Sequence, residues 1–278
     1  MNNPTADYTN QLLAQRADRA EQLLADRGWL TLAGLFWLQE GPNAVGAAPD
    51  NAVILVGDDI PAHTGMIEVY GEEVLLHVAP GVIMTHNDAP ITTLLMQDDM
   101  SGQPDFVTLG TLTLLLIKRG ARYGVRLFDT AHPARQTFPG LRWYPIVPAL
   151  CLTADYKPHE PPRTLAITNV LGDTNPSVNP GVVHFTIAGE ACCLEAEARG
   201  NKLFFNFRDL TNRDTTYPAG RFLYTDVPVN GKVTLDFNQA TNPYCAYTPY
   251  ATCPLPPAQN RLPVRIEAGE MRYAGVTR

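Results

Sequence analysis

Polar side chains gather where apolar, strand-like runs end in the carboxy-terminal half of this chain. They are Arg208-Asp209 with Thr211, Thr215-Thr216-Tyr217, Gly220-Arg221, Asp236 with Asn238, then Asn260 and Glu270. These residue types suit acid–base or anion-binding chemistry. A planar guanidinium such as Arg221 grips a carboxylate or phosphate at two points. Asp236 or Glu270 would carry the proton as general acid or base, and Tyr217 would donate to developing negative charge. Arg208, Asp209, Asn238 and Asn260 complete the candidate ligand-binding set. The same residues have a structural reading. Arg221 and Asp236 would form a buried ion pair, retained because breaking it strands a charge. Asn238 and Asn260 would then satisfy backbone groups of an irregular loop.

Cys245 and Cys253 are separated by seven residues in that loop. A zinc site wants four ligands, with cysteines commonly two to four residues apart, and the nearest histidine in sequence is His184. No metal is expected there. A reactive thiol would need a neighbouring base or cation, and a disulfide runs against a reducing compartment. Packing thiols are the preferred reading. The six histidines show no ligand spacing, and Gly-x-Ser-x-Gly, phosphate-loop and dinucleotide signatures are missing. No cofactor is expected.

Several elements must position these residues. Asp7 to Arg27 carries an apolar stripe of Leu12, Leu13, Leu23 and Leu24 and predicts a helix ended by Gly28. The run Trp29–Leu38 reads as a buried anchor between that helix and a sheet. Short β-type runs follow between Asn43 and Leu127, and Asp129 to Pro148 reads as a connection. Longer runs then begin at Ala149 and include Arg163–Val170, Gly181–Ala188, Lys202–Phe207, Gly220–Tyr224, Lys232–Asp236 and Leu262–Glu267. Gly189-Glu190, Arg199-Gly200-Asn201 and Val229-Asn230-Gly231 mark tight turns between them. Six of the twenty-two residues from Asn242 to Pro263 are proline, which excludes a helix or central strand and predicts a stiff strap.

The series Asp236-Phe237-Asn238, Asn242-Pro243-Tyr244, Asn260-Arg261-Leu262 and Ala268-Gly269-Glu270, with the earlier Trp29-Leu30-Thr31-Leu32, resembles the signature of a bacterial family, domain-of-unknown-function family 1684. That resemblance covers nearly the whole chain and brings no assigned mechanism. In the first half, Val45-Gly46, Pro49-Asp50-Asn51-Ala52, His63, Asn87-Asp88 and Leu109-Gly110 are ordered as in a forkhead-associated sandwich. That sandwich holds phosphothreonine through an arginine right after the first glycine and a serine ahead of the histidine. Ala47 and Ile60-Pro61-Ala62 stand at those places. The resemblance implies the fold without phosphopeptide reading, since the phosphate-pairing charge is missing.

The expectation is an all-β protein with an N-terminal helix, in four stretches. They are the helix over 1–28, a forkhead-associated-like β-sandwich over 29–130, a connection over 131–148, and a β-meander barrel or curved sheet over 149–278 roofed by the strap at 242–263. With 278 residues, 45% hydrophobic and 18% charged, the chain has the make-up of a globular protein with a sizeable core. The net charge of −7 argues against nucleic-acid and anionic-membrane partners. Met1 to Arg27 lacks the apolar core of a signal peptide and no run reaches a membrane span. A cytoplasmic location is therefore expected. The leading expectation for function is binding of a small anionic molecule in the second domain. A cofactor-free acid–base enzyme on the same residues is the alternative, and a scaffold contacting a protein partner through the first domain is the third.

Overall fold

In the computed structural model, which describes residues 4–275, helix α1 runs over Pro4–Leu24. Its apolar stripe puts Leu12 and Leu23 in the interior. The helix closes short of the expected Gly28. That glycine serves a close approach instead, because a Cβ there would meet the Leu23 carbonyl oxygen at 2.4 Å. The chain divides into two compact units, Gln22–Thr137 and Met1–Glu21 with Phe138–Arg278. Among the described residues no helix is long and apolar enough to cross a membrane.

The unit over Gln22–Thr137 contains β1 (Leu32–Trp37), β2 (Gly41–Gly46), β3 (Val53–Ile54), β4 (Gly65–Tyr70), β5 (Glu73–Val78) and β6 (Met84–His86). It continues with β7 (Ala89–Ile91), β8 (Thr93–Leu95), β9 (Phe106–Leu109), β10 (Leu112–Arg119) and β11 (Arg122–Asp129). They form a six-stranded sheet, β1-β11-β10-β9-β6-β7, and a five-stranded one, β3-β2-β4-β5-β8. Val45, Ile67 and Leu76 from one sheet share a core with Leu114, Leu116 and Val125 from the other. Two sheets over one apolar layer make a sandwich. The Trp29–Leu38 run leads from the helix into the sheet, with Leu30, Thr31 and Leu32 buried and Leu30 N–H donating back to the Leu23 carbonyl at 3.1 Å. Its residues Leu32–Trp37 form an edge strand paired antiparallel with β11, because alternating apolar side chains fit a pleated edge as well as a buried plug.

The other unit holds β12 (Cys151–Thr168), β13 (Thr174–Ile187), β14 (Glu190–Glu195), β15 (Glu197–Arg199), β16 (Lys202–Phe207), β17 (Arg221–Asp226) and β18 (Lys232–Asp236). The two runs expected at 149–156 and 163–170 are one strand, irregular between Pro158 and Arg163. The strands do not close into a barrel. They form an antiparallel sheet β14-β13-β12-β18 and a second sheet β15-β16-β17, the chain leaving the first after Glu195 and entering the second at Glu197. Phe185, Leu194 and Leu235 from one pack in a single core with Phe205, Phe207 and Leu223 from the other.

Leu262–Glu267, expected as a strand, bends at Pro263-Val264 and buries Leu262, Val264 and Ile266 in alternation, yet it joins no ladder. Pro263 has no amide to donate. Its neighbours bond to the loop after β16 instead, Leu262 N–H to the Arg208 carbonyl at 2.7 Å and Leu210 N–H to that of Val264 at 2.9 Å. The strap from Asn242 to Pro263 is coil with short 3-10 turns at Tyr244–Ala246 and Ala258–Asn260. It is tied to the end of β12, with Leu255 N–H donating to the Thr168 carbonyl at 2.7 Å and Val170 N–H to that of Cys253 at 3.0 Å.

Candidate functional site

β17 and β18 stand at the facing edges of the two sheets of this unit, and no ladder joins them among the described residues. The link between them turns tightly instead, Val229 and Lys232 exchanging backbone hydrogen bonds of 2.9 and 3.0 Å. Pro228 cannot donate to a ladder. Where the barrel fails to close, a cleft of about 350 Å³ opens, lined from β17 by Tyr224, Thr225 and Asp226 and from β18 by Lys232, Thr234 and Asp236. That volume is at the lower end of the range for small-molecule sites. Lys202, Val227, Val229, Val233 and Gln239 complete its walls.

The walls are chemically mixed. Tyr224, Val227 and Val229 expose half or more of their surface, which gives an apolar flank. Lys202 and Lys232 supply two ammonium groups. Each pairs with a surface carboxylate, Lys202 with Asp226 at 3.0 Å and Lys232 with Asp155. Exposed pairs of this kind are weak, so a better anionic partner displaces them easily.

Asp236 is fixed from several directions. The Tyr8 hydroxyl, from α1, lies 3.0 Å from both carboxylate oxygens. Asn238 donates its backbone N–H at 3.1 Å and its side-chain amide at 3.0 Å, and Gln239 donates at 2.9 Å. Asp236 thereby caps the 3-10 turn Phe237–Gln239. Burial, and then the adjacent Asp236 carboxylate, push the Tyr8 phenol well above its usual range. Tyr8 therefore stays a donor at any ordinary pH. The Asn238 side chain also receives Val147 N–H at 2.8 Å and donates to the Val147 carbonyl at 2.9 Å. It thus satisfies the segment before β12, not the strap.

Most of the other predicted site residues lie elsewhere. Arg221 is not paired with Asp236. It is fully buried, forms an ion pair with Asp209, and donates to the carbonyls of Ala268 and, at 2.9 Å, Ile266. Asp209 also caps the turn Leu210–Arg213, accepting Thr211 N–H at 2.6 Å, while the Asn212 side chain receives Asp209 N–H at 2.7 Å. Asn260 receives Glu195 N–H at 2.7 Å and donates to the carbonyls of Glu195 and Asn206 at 3.0 Å each. It stitches β14 to β16. Arg208 is placed by its backbone, its N–H donating to the Asn260 carbonyl at 2.9 Å. These residues form the interior frame.

Glu270 is fully buried away from the cleft. Tyr247 donates to it, Asn242 donates its backbone N–H at 3.0 Å and its amide at 2.9 Å, and Arg19 of α1 lies 3.9 Å away. Burial pushes the Glu270 carboxyl up against the opposing pull of Arg19 and these donors. Tyr217 donates to the Cys245 carbonyl at 3.1 Å and does not line the cleft. Asp236, Glu270 and Tyr217 therefore do not converge. Of the whole predicted set, only Asp236 lines the cleft.

Sequence reasoning missed Lys202, Lys232, Tyr224 and Tyr8. Both lysines directly follow turn signals, Gly200-Asn201 and Gly231, so their place at strand starts was legible. The partnership of Tyr8 with Asp236 left no sequence signal.

A two-sheet β-unit with a mixed cleft at its open seam is thus joined in this chain to a β-sandwich. The chain belongs to a family described as protein of unknown function (DUF1684), whose profile matches residues 136–271. An uncharacterized protein from Haloarcula marismortui is 31% identical over 50% of this chain and 79% of its own, with a TM-score of 0.42. The FhaA forkhead-associated domain, solved in complex with the intracellular domain of another protein, is 19% identical over 34% of this chain and 96% of its own, TM-score 0.25. A forkhead-associated domain studied for phosphothreonine-dependent interactions is likewise 19% identical, over 34% of this chain and 92% of its own, TM-score 0.25. No curated protein matches the chain.

Proposed function

We propose that the carboxy-terminal unit binds a small molecule bearing an anionic group and a hydrogen-bond donor in the cleft between β17 and β18. The observation that carries this reading is one cleft in which Lys202 and Lys232 share the walls with Asp236, whose orientation is locked by Tyr8, Asn238 and Gln239. The two ammonium groups receive the anion. Asp236 accepts from a hydroxyl or ammonium of the same molecule, and the Tyr224, Val227 and Val229 flank takes its apolar part. Preorganised groups of this kind reduce the ordering cost of binding. Binding is favoured over acid–base chemistry because Glu270 and Tyr217 lie outside the cleft.

A titration of the full chain with a series of hydroxy- and amino-carboxylates, followed by backbone amide chemical shifts, tests the reading. Shifts confined to the cleft, around Lys202 and residues 224–239, lost for the matching carboxamides and weakened at least about tenfold by Lys232→Ala, are expected, since hydrogen bonds to charged groups contribute about 1.5–3 kcal/mol. Shifts that persist with the neutral carboxamides, or that map outside the seam, overturn it.

A further inference from the structure

Cys245 and Cys253 lie at the two ends of a turn in the strap and do not line the cleft. The Cys245 N–H donates to the Cys253 sulfur at 3.2 Å. With an N–Cα bond of about 1.46 Å, that sulfur is at most about 4.7 Å from the Cys245 Cα, within the reach of a disulfide. Beside the pair, the Tyr217 hydroxyl donates to the Cys245 carbonyl at 3.1 Å. Cys245 is partly exposed and Cys253 is buried. One accessible thiol backed by one sheltered thiol is the arrangement of an attacking and a resolving cysteine.

We propose that Cys245 and Cys253 form a peroxide-reactive pair that closes to a disulfide across the strap. The Cys245 thiolate attacks one oxygen of hydrogen peroxide, the O–O bond breaks, and hydroxide leaves to become water with a proton from solvent. Cys245 is then a sulfenic acid. The Cys253 sulfur attacks it, the S–O bond breaks, and the departing hydroxide leaves as a second water with the Cys253 proton. Two thiols are oxidised to one disulfide and one peroxide is reduced to two waters. The electrostatics agree with the direction of attack. Donation from the Cys253 thiol, and then from Tyr217, outweighs burial and brings the Cys245 thiol down to about 7, while its neighbour and burial push Cys253 up. The disulfide would clamp the segment that carries Tyr247, the donor to Glu270.

The test uses the full chain with the exposed Cys193 replaced by serine, treated with one equivalent of hydrogen peroxide. The expected result is loss of two hydrogens from the intact mass, with a Cys245–Cys253 cross-link in the peptide map. In a Cys253→Ser chain, oxidation should stop at a sulfenic acid on Cys245, captured by dimedone. If that variant does not fold, the pH profile of Cys245 alkylation in the parent chain stands alone. Its midpoint is expected near 7 and should rise in Tyr217→Phe. Both cysteines remaining reduced, a link through Cys151 or Cys192, or an alkylation midpoint in the ordinary thiol range overturns the proposal.

Discussion

Tyr8 donates to both carboxylate oxygens of Asp236, 228 residues further along the chain, at 3.0 Å each. Through this contact the amino-terminal helix orients the acid on the floor of the cleft. Asp236 keeps its Asn238 and Gln239 donors if Tyr8 is lost. Tyr8→Phe should therefore cost about 1 kcal/mol in urea unfolding, the contribution of one hydrogen bond. Asp236→Ala strands several donors and should cost about 2–3 kcal/mol by the same reasoning. Equal losses in the two variants would show that Asp236 is not the hub.

Arg221 and Asp209 form a fully buried pair. Arg221→Met leaves Asp209 charged and uncompensated in the core and should cost about 3–5 kcal/mol. Adding Asp209→Asn removes that charge and keeps an acceptor for Thr211, so the double variant should recover part of the loss. A double variant less stable than Arg221→Met would contradict the pairing argument.

Gly269 and Gly189 both have left-handed backbone, with φ of +78° and +82°. A Cβ on Gly269 would sit 2.5 Å from the Ala240 carbonyl oxygen, whereas nothing lies within 4 Å of one on Gly189. Gly189→Ala should cost about 1–2 kcal/mol for the conformation alone. Gly269→Ala should exceed it by about 1–3 kcal/mol because the Ala240 backbone must move. Thermal unfolding of the two variants side by side separates the terms.

Glu195 is held by Asn179 at 2.6 Å and by His159 at 3.0 Å. Burial works to raise its pKa, but these two partners outweigh it and the carboxyl lies below its usual value. A carboxyl lowered on folding contributes stability above its unfolded pKa, about 4.3, and loses it as pH falls through the folded value. Glu195→Gln should thus be less stable than wild type at pH 7, with the gap closing below about pH 4. Urea midpoints from neutral to acid pH measure it, and a gap independent of pH would refute the assignment.

What the sequence determined by itself was local. The period of Leu12 to Leu24 specified a helix, the alternation and glycine turns after Ala149 specified strands, and Pro263 signals why an alternating run stays out of a ladder. The polar series from Arg208 to Glu270 was recognisable as important because such groups need partners wherever they are buried. The tertiary structure alone decided which partners those are. Arg221 took Asp209 rather than Asp236, Asp236 took Tyr8, and Glu270 went to Tyr247, Asn242 and Arg19. Charge pairing acts over a few ångströms of space, and sequence distance does not fix those ångströms when strands from two sheets meet. The open seam between β17 and β18 was decided the same way. Each strand's pattern specified a pleated edge, and only packing two sheets on one core left those edges facing across a cleft instead of bonded.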